Sequence, residues 1–340
     1  MNISEKDRIG MYLVPQLEEM IFDELSDAYL NKAGIADIMT GVSVPIRKSE
    51  LGSISTLKIA LNMAFVIGCD PSFRFKENYM AYILRVFDKR FAEGLIADGV
   101  EAAQREEFEY ACIQFRAATQ LDPDNADAYY CYGRACKDAY EGSDDEEFIG
   151  RFKAESIEAF EVATLKKPDF ANAYYFLGYG YINMGLYVKA QLTWEEFVKL
   201  SEDEELKKEI RGRLEQLKEP VEIEKCCNLV LSGKYIEGID ALSKYKEGTY
   251  SQWWPLWYYL GTAYAAVGEN EEAIEHYLKV LTLSPSNSET MEELIKLYEI
   301  VGDKGKKDKY EKKLAIIKEN AEKDRIAKAE MFVGKGAVLN

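Results

Sequence analysis

Few side chains in this 340-residue sequence have the type and spacing that chemistry needs. A single histidine, His276, stands beside Tyr277. To act as a base it would need a nucleophile and an orienting carboxylate converging on it, and no such set is readable, so it is expected as an exposed helix residue. Six cysteines (Cys69, Cys112, Cys131, Cys136, Cys226 and Cys227) include no Cys-x-x-Cys pair, and with one histidine a closed zinc site lacks ligands. Cys131 and Cys136, five residues apart, lie about 500° around a helix axis and so point in different directions. Buried, reduced thiols are the expected state. The run Asp144-Asp-Glu-Glu147 lacks the alternating ligands and central glycine of a calcium loop. Gly302-Asp-Lys-Gly305-Lys-Lys lacks the strand-loop-helix setting of a phosphate site, and Glu195 and Glu196 are adjacent rather than facing across a cleft. These residues predict no enzyme, no metal and no cofactor.

Composition narrows the partners. With 47% apolar and 12% aromatic residues the chain folds, and its formal charge of -17 repels nucleic acid and anionic lipid. The excess of acid is central, with 28 acidic against 15 basic residues in 92–220 and near balance on either side. The most apolar stretch, Ile59 to Gly68, is interrupted by Asn62 and is shorter than the roughly 20 residues of a bilayer span. The N-terminus lacks the basic-then-apolar order of a secretory signal. Thiol usage and these absences predict a cytoplasmic protein with neither nucleic-acid nor membrane partners.

The elements that would position any site repeat. Gly99 and Gly133 are 34 residues apart, and a similar mixture of large apolar and small residues surrounds each. The clearest unit, Trp254 to Asn287, places Trp257, Leu260, Gly261 and Tyr264 on one helix and Ala273, Tyr277 and Val280 on a second, with a turn at Gly268 and a stop at Pro285. Small residues at Gly261 and Ala273 let the helices approach; a larger one costs roughly 1–3 kcal/mol. This pattern closely resembles the tetratricopeptide repeat (TPR) family. Ala171 to Glu204 carries Tyr174, Leu177, Gly178, Tyr181, Gly185, Ala190 and Trp194, and Ala92 to Asn125 carries Leu95, Gly99, Ala111, Phe115, Ala118 and Pro123. Between them a unit of 45 residues, Ala126 to Phe170, holds an acidic insertion near 140–152 that reads as a solvated loop.

The resemblance implies an all-α fold of tandem helix-turn-helix units in a right-handed superhelix. The organisation expected is an N-terminal helical region over 1–91 and a first array over 92–204. A helical extension over 205–218 would lead to a second array over 219–320, with degenerate end units, and to a helix extension and frayed tail over 321–340. Within 1–91, Ile54 to Ile67, Lys76 to Phe87 and Leu13 to Leu30 read as helices, Gly41 to Gly52 as a loop, and no strand pattern is long enough for a sheet.

By the same resemblance the first helix of each pair lines a concave groove, here with Tyr130, Arg134, Lys137, Asn172, Tyr175, Tyr179, Asn183, Tyr258 and Thr262. Tyrosines offer wide contact at low entropy cost, and amides satisfy an extended peptide backbone. Each tyrosine could equally be packed against a neighbouring helix. The implied function is a non-enzymatic scaffold or adaptor holding a peptide segment or partner helix with apolar or aromatic anchors, Arg134 and Lys137 adding a place for an acidic side chain. A peptide-responsive sensor whose superhelix changes shape is the alternative, and exposed aromatics leave room for a homo-oligomer. The family's carboxylate clamp for chaperone tails is not reproduced: Ile96, Val100, Tyr175 and Phe176 occupy its sites.

Overall fold

Each clear repeat is joined the same way, by a first-helix glycine lying under a large ring of the second helix. A Cβ at Gly99 would sit 2.7 Å from the Phe115 ring, at Gly133 2.8 Å from Phe160, and at Gly261 2.8 Å from Tyr277; at Gly178 it would overlap the Trp194 indole. Real side chains do not approach so closely, so only glycine lets these backbones meet the rings. This computed structural model describes residues 7–52 and 55–336, which divide between two compact units, Met1–Glu215 and Gln216–Asn340.

The first unit begins with α1 (Gly10–Leu13), strand β1 (Met20–Glu24), α2 (Asp27–Ala33), α3 (Ala36–Met39) and strand β2 (Ser43–Arg47). Helices α4 (Thr56–Cys69) and α5 (Lys76–Phe87) follow. Three pairs come next: α6 (Arg90–Gln104) with α7 (Phe108–Leu121), α8 (Ala126–Glu141) with α9 (Glu146–Lys166), and α10 (Ala171–Asn183) with α11 (Tyr187–Leu200). The helix α12 (Glu204–Leu231) continues through Pro220. In the second unit α13 (Tyr235–Leu242) precedes the pairs α14 (Trp254–Ala266) with α15 (Asn270–Leu283) and α16 (Ser288–Ile300) with α17 (Lys304–Gly336).

Among the described residues the fold is all-α apart from one two-stranded antiparallel ribbon, in which Met20 faces Arg47 and Glu24 faces Ser43. The ribbon corrects three expectations: a sheet is present where no strand pattern read as long enough for one, Leu13 to Leu30 is a 3-10 turn, a strand and a short helix rather than one helix, and part of Gly41 to Gly52 is strand β2. Strand β2 is buried at Val44, Pro45 and Ile46, against α4, whereas β1 is exposed after Met20. Asn62, the polar break in the apolar run, is buried as a bridge: it accepts from Arg47 Nε at 3.2 Å and donates to Glu50 at 2.9 Å. A paired amide is tolerated where a bare one is not. Of the helix read from Ile54, Ile54 itself lies outside the described residues.

Ahead of the ribbon the chain crosses the second helices of two repeats. Ile9, Leu13 and Leu17 are buried in the unit's core, and Tyr12 stands edge-on to Phe148 at 4.9 Å. Asp7 pairs with Arg116 of α7 at 2.5 Å, both side chains about nine-tenths buried. Arg8 pairs with Glu155 at 3.4 Å and with Glu158 of α9, and Arg151 donates to the Arg8 carbonyl at 3.0 Å. The acidic insertion is therefore not all loop: Asp145 caps α9 by accepting from Glu147 and Phe148 backbone N–H groups, and Phe148 stacks on Phe152 at 4.1 Å. At the other end of the sequence the helix runs through Gly336, so the tail read from Gly334 is helical as far as that, and 337–340 lie outside the described residues.

Candidate functional site

The first helices α8 and α10 and the start of α12 share one face of the first unit. On α8, the Tyr130 ring lies 4.8 Å from Phe170 and 6.1 Å from Phe176, and one turn later the Arg134 guanidinium lies 4.3 Å over the same Phe176 ring. Arg134 donates weakly to the Tyr130 hydroxyl at 3.4 Å and meets Asp138 at 4.0 Å, while its buried Nε has no hydrogen-bond partner among the described residues. Burial raises the Asp138 carboxyl above its ordinary range despite Arg134 and Lys137. Lys137 is engaged within its own helix, 2.5 Å from Glu141.

On α10, Asn172 is exposed in the first turn, and Tyr175 and Tyr179 meet edge to face at 5.2 Å. Both hydroxyls turn to Glu209 of α12, Tyr175 at 3.5 Å and Tyr179 more closely, and Arg213 lies 5.7 Å over the Tyr179 ring. Burial, then the Glu209 hydrogen bond, raises the Tyr179 phenol well above its usual value. Tyr179 also stands on the Trp194 indole at 4.8 Å, and Trp194 donates to the Tyr175 carbonyl at 3.1 Å. Asn183, exposed at the helix end, hydrogen-bonds the Tyr140 phenol, which burial pushes up to about 12. The face is thus a half-buried aromatic strip with polar tips. Sequence reasoning missed Phe176 as a platform, Tyr140, and the pair Glu209 and Arg213; the i, i+4 spacing of the last two in an extension read only as helix was the available signal.

Tyr258 and Thr262 lie in the second unit, on α14. Tyr258 stands edge-on to Trp254 at 6.2 Å and to Tyr259 at 6.0 Å. Burial, then Glu289 and Glu293 of α16, raises its phenol. Thr262 is turned inward, donating to the Tyr258 carbonyl at 3.0 Å and lying 3.1 Å from the Tyr277 hydroxyl. Trp254 is the first residue of this helix, and Trp253, its N-cap, packs with the cluster shared by α12, α13 and α14.

His276 is buried rather than exposed. It is 6% accessible, stacked 5.0 Å from Tyr264, with Nδ1 2.7 Å from the Glu272 carbonyl. Burial lowers its basicity. Cys136 does not face Cys131 but lies 3.6 Å from Cys112 of α7, and burial raises its thiol strongly. No group of three or more His, Cys, Asp or Glu residues among the described residues is arranged to hold a metal ion. No described helix is long and apolar enough to cross a membrane.

The tetratricopeptide repeat family profile matches residues 254–287, the α14/α15 pair whose joint is Gly261 on Tyr277. That pair is a tetratricopeptide repeat. A search of curated proteins finds no match. Among solved structures, the TPR domain of P58(IPK) is 21% identical over 72% of this chain and 68% of its own, with a TM-score of 0.40. The Sgt2 TPR domain from Aspergillus fumigatus is 21% identical over 39% and 81%, TM-score 0.31, and the TPR protein YrrB 18% over 63% and 96%, TM-score 0.30. The glycine-on-ring joint of this repeat recurs in α6/α7, α8/α9 and α10/α11, outside the span that the profile matches.

Proposed function

We propose that this TPR protein is a non-enzymatic, cytoplasmic scaffold whose first-helix face on α8, α10 and α12 holds a peptide segment or partner helix. One observation carries the reading: Tyr130, Tyr175 and Tyr179 are all half-buried, each fixed by a neighbouring ring and each still partly exposed. Rings immobilised before binding lose little further entropy when a ligand covers them. Arg134, Asn172 and Asn183 border the strip with donors suited to a peptide backbone or a carboxylate. The test compares affinity capture of partners by the wild type and by a Tyr175→Ala, Tyr179→Ala, Asn183→Ala variant whose helicity is intact by circular dichroism. A partner retained by the wild type and lost by the variant is expected. Equal capture of every partner by both proteins would refute the assignment of this face.

A further inference from the structure

The first-helix face of the second unit has a different chemistry. Helix α14 carries no charged residue and presents Trp254, Tyr258 and Tyr259, all half-buried. Tyr258 packs toward the core that includes Met291 and Leu294 of α16, and Tyr259 toward Ile223 and Cys227 of α12. The charges that act on the two tyrosines are acidic. Glu289, Glu292 and Glu293 come from α16 and Glu224 from α12. Glu292 is 2.7 Å from Lys318 and Glu293 2.7 Å from Lys296, so those two are balanced. Glu289 is exposed, one position into α16, and makes no ion pair among the described residues.

We infer that the α14/α16 face takes an extended partner segment bearing arginine or lysine between apolar residues, its cation seated between the Trp254 and Tyr258 rings and the Glu289 carboxylate. The inference rests on reading the first helices as a binding face. Its physics is specific to a cation. Ring faces attract a guanidinium by roughly 0.5–2 kcal/mol, and an adjacent carboxylate adds a charge-assisted hydrogen bond. An acidic segment would meet repulsion from the same carboxylates, and a purely apolar one would leave Glu289 without a counter-charge.

The test uses the full chain at about 150 mM salt, where fields beyond roughly 8 Å are screened. The probe is a fluorescein-labelled decapeptide of alternating arginine and leucine, with the glutamate-leucine peptide as its counterpart, read by anisotropy. Binding of the arginine peptide is expected to weaken at least fivefold in Glu289→Lys and in Trp254→Ala. It should be unchanged in Glu271→Lys, which alters net charge equally on the exposed side of α15. Equal weakening by Glu271→Lys and Glu289→Lys would mean a diffuse field and overturn the site, as would equal binding of the glutamate peptide. So would wild-type self-association that Trp254→Ala abolishes, which would give the face to a second copy. If the Tyr175, Tyr179, Asn183 variant loses its partner while Glu289→Lys leaves the arginine peptide bound, the scaffold reading stands and this one fails. If Glu289→Lys weakens the peptide while that variant captures normally, the reverse holds.

Discussion

Replacing Gly178 with alanine tests whether the glycine joint holds the aromatic strip in place. The added methyl would fall inside the Trp194 indole, with Cε2 at 2.7 Å and Nε1 and Cδ1 closer still. Restoring ordinary contact at about 3.5 Å requires the indole to retreat by more than about 1 Å. Trp194 is fully buried, so the retreat must push into packed core. It would also stretch the 3.1 Å bond from Nε1 to the Tyr175 carbonyl and draw the ring away from Tyr179. Overpacking of this kind costs about 1–3 kcal/mol and the weakened hydrogen bond about 1, so a loss of about 2–4 kcal/mol is expected. With a urea slope of about 2–3 kcal/mol per molar, the midpoint should fall by about 1 M, read by tryptophan fluorescence. Gly94→Ala is the internal comparison. Gly94 lies within α6 with nothing near its Cβ position, so alanine should stabilise by about 0.5–1 kcal/mol through helix propensity alone. If the two substitutions shift the midpoint alike, or Gly178→Ala leaves it unchanged, the joint does not set the helix spacing.

Three further outcomes follow from particular contacts. Asp7→Ala should destabilise the first unit by about 3–5 kcal/mol, because it strands the buried Arg116 guanidinium, and adding Arg116→Met should recover part of that in urea titration. Glu106 turns out of α6 at φ +61°, where Gly268 serves the equivalent turn after α14 at φ +87°, so Glu106→Gly should relieve strain and raise stability by about 1 kcal/mol, read as a higher urea midpoint. His276, held neutral by burial, protonates more readily when unfolded than when folded. Stability is therefore complete above the unfolded value near 6.5 and declines as pH falls below it; His276→Gln should flatten the decline in urea midpoint between about pH 7 and 5 relative to wild type.

The repeat was legible because its determinants are local. A glycine and the ring it accepts lie within one helix pair, as with Gly261 and Tyr277, so a 34-residue period carries the whole instruction. Strand β1 was not legible: four of its five residues, Ile21 to Glu24, face solvent, and its conformation is set by pairing with β2, which α4 holds in place. The burial of His276 escaped notice because its position within α15 matters less than the rings of Trp257 and Tyr264 that close over it. The first-helix tyrosines could be named from their spacing. That Tyr175 and Tyr179 would share Glu209 could not, since the partner comes from a helix 30 or more residues away with no repeat signature of its own.

The crossing of the N-terminal segment over α7 and α9 bears on the order of synthesis. A ribosome delivers Ile9, Leu13 and Leu17 before the helices they cover, and Arg8 finds Glu158 only after 150 further residues have been made. At about 5–20 residues per second that interval is roughly 8–30 s. During it the first helix pair, α6/α7, and then α8 can assemble from neighbours, while an apolar stretch destined for the surface of α7 and α9 waits without its full seat. Nascent chains arrested shortly before and shortly after Glu158 emerges should therefore differ in how readily a protease cleaves near Tyr12, a difference that an array built only from adjacent repeats would not show.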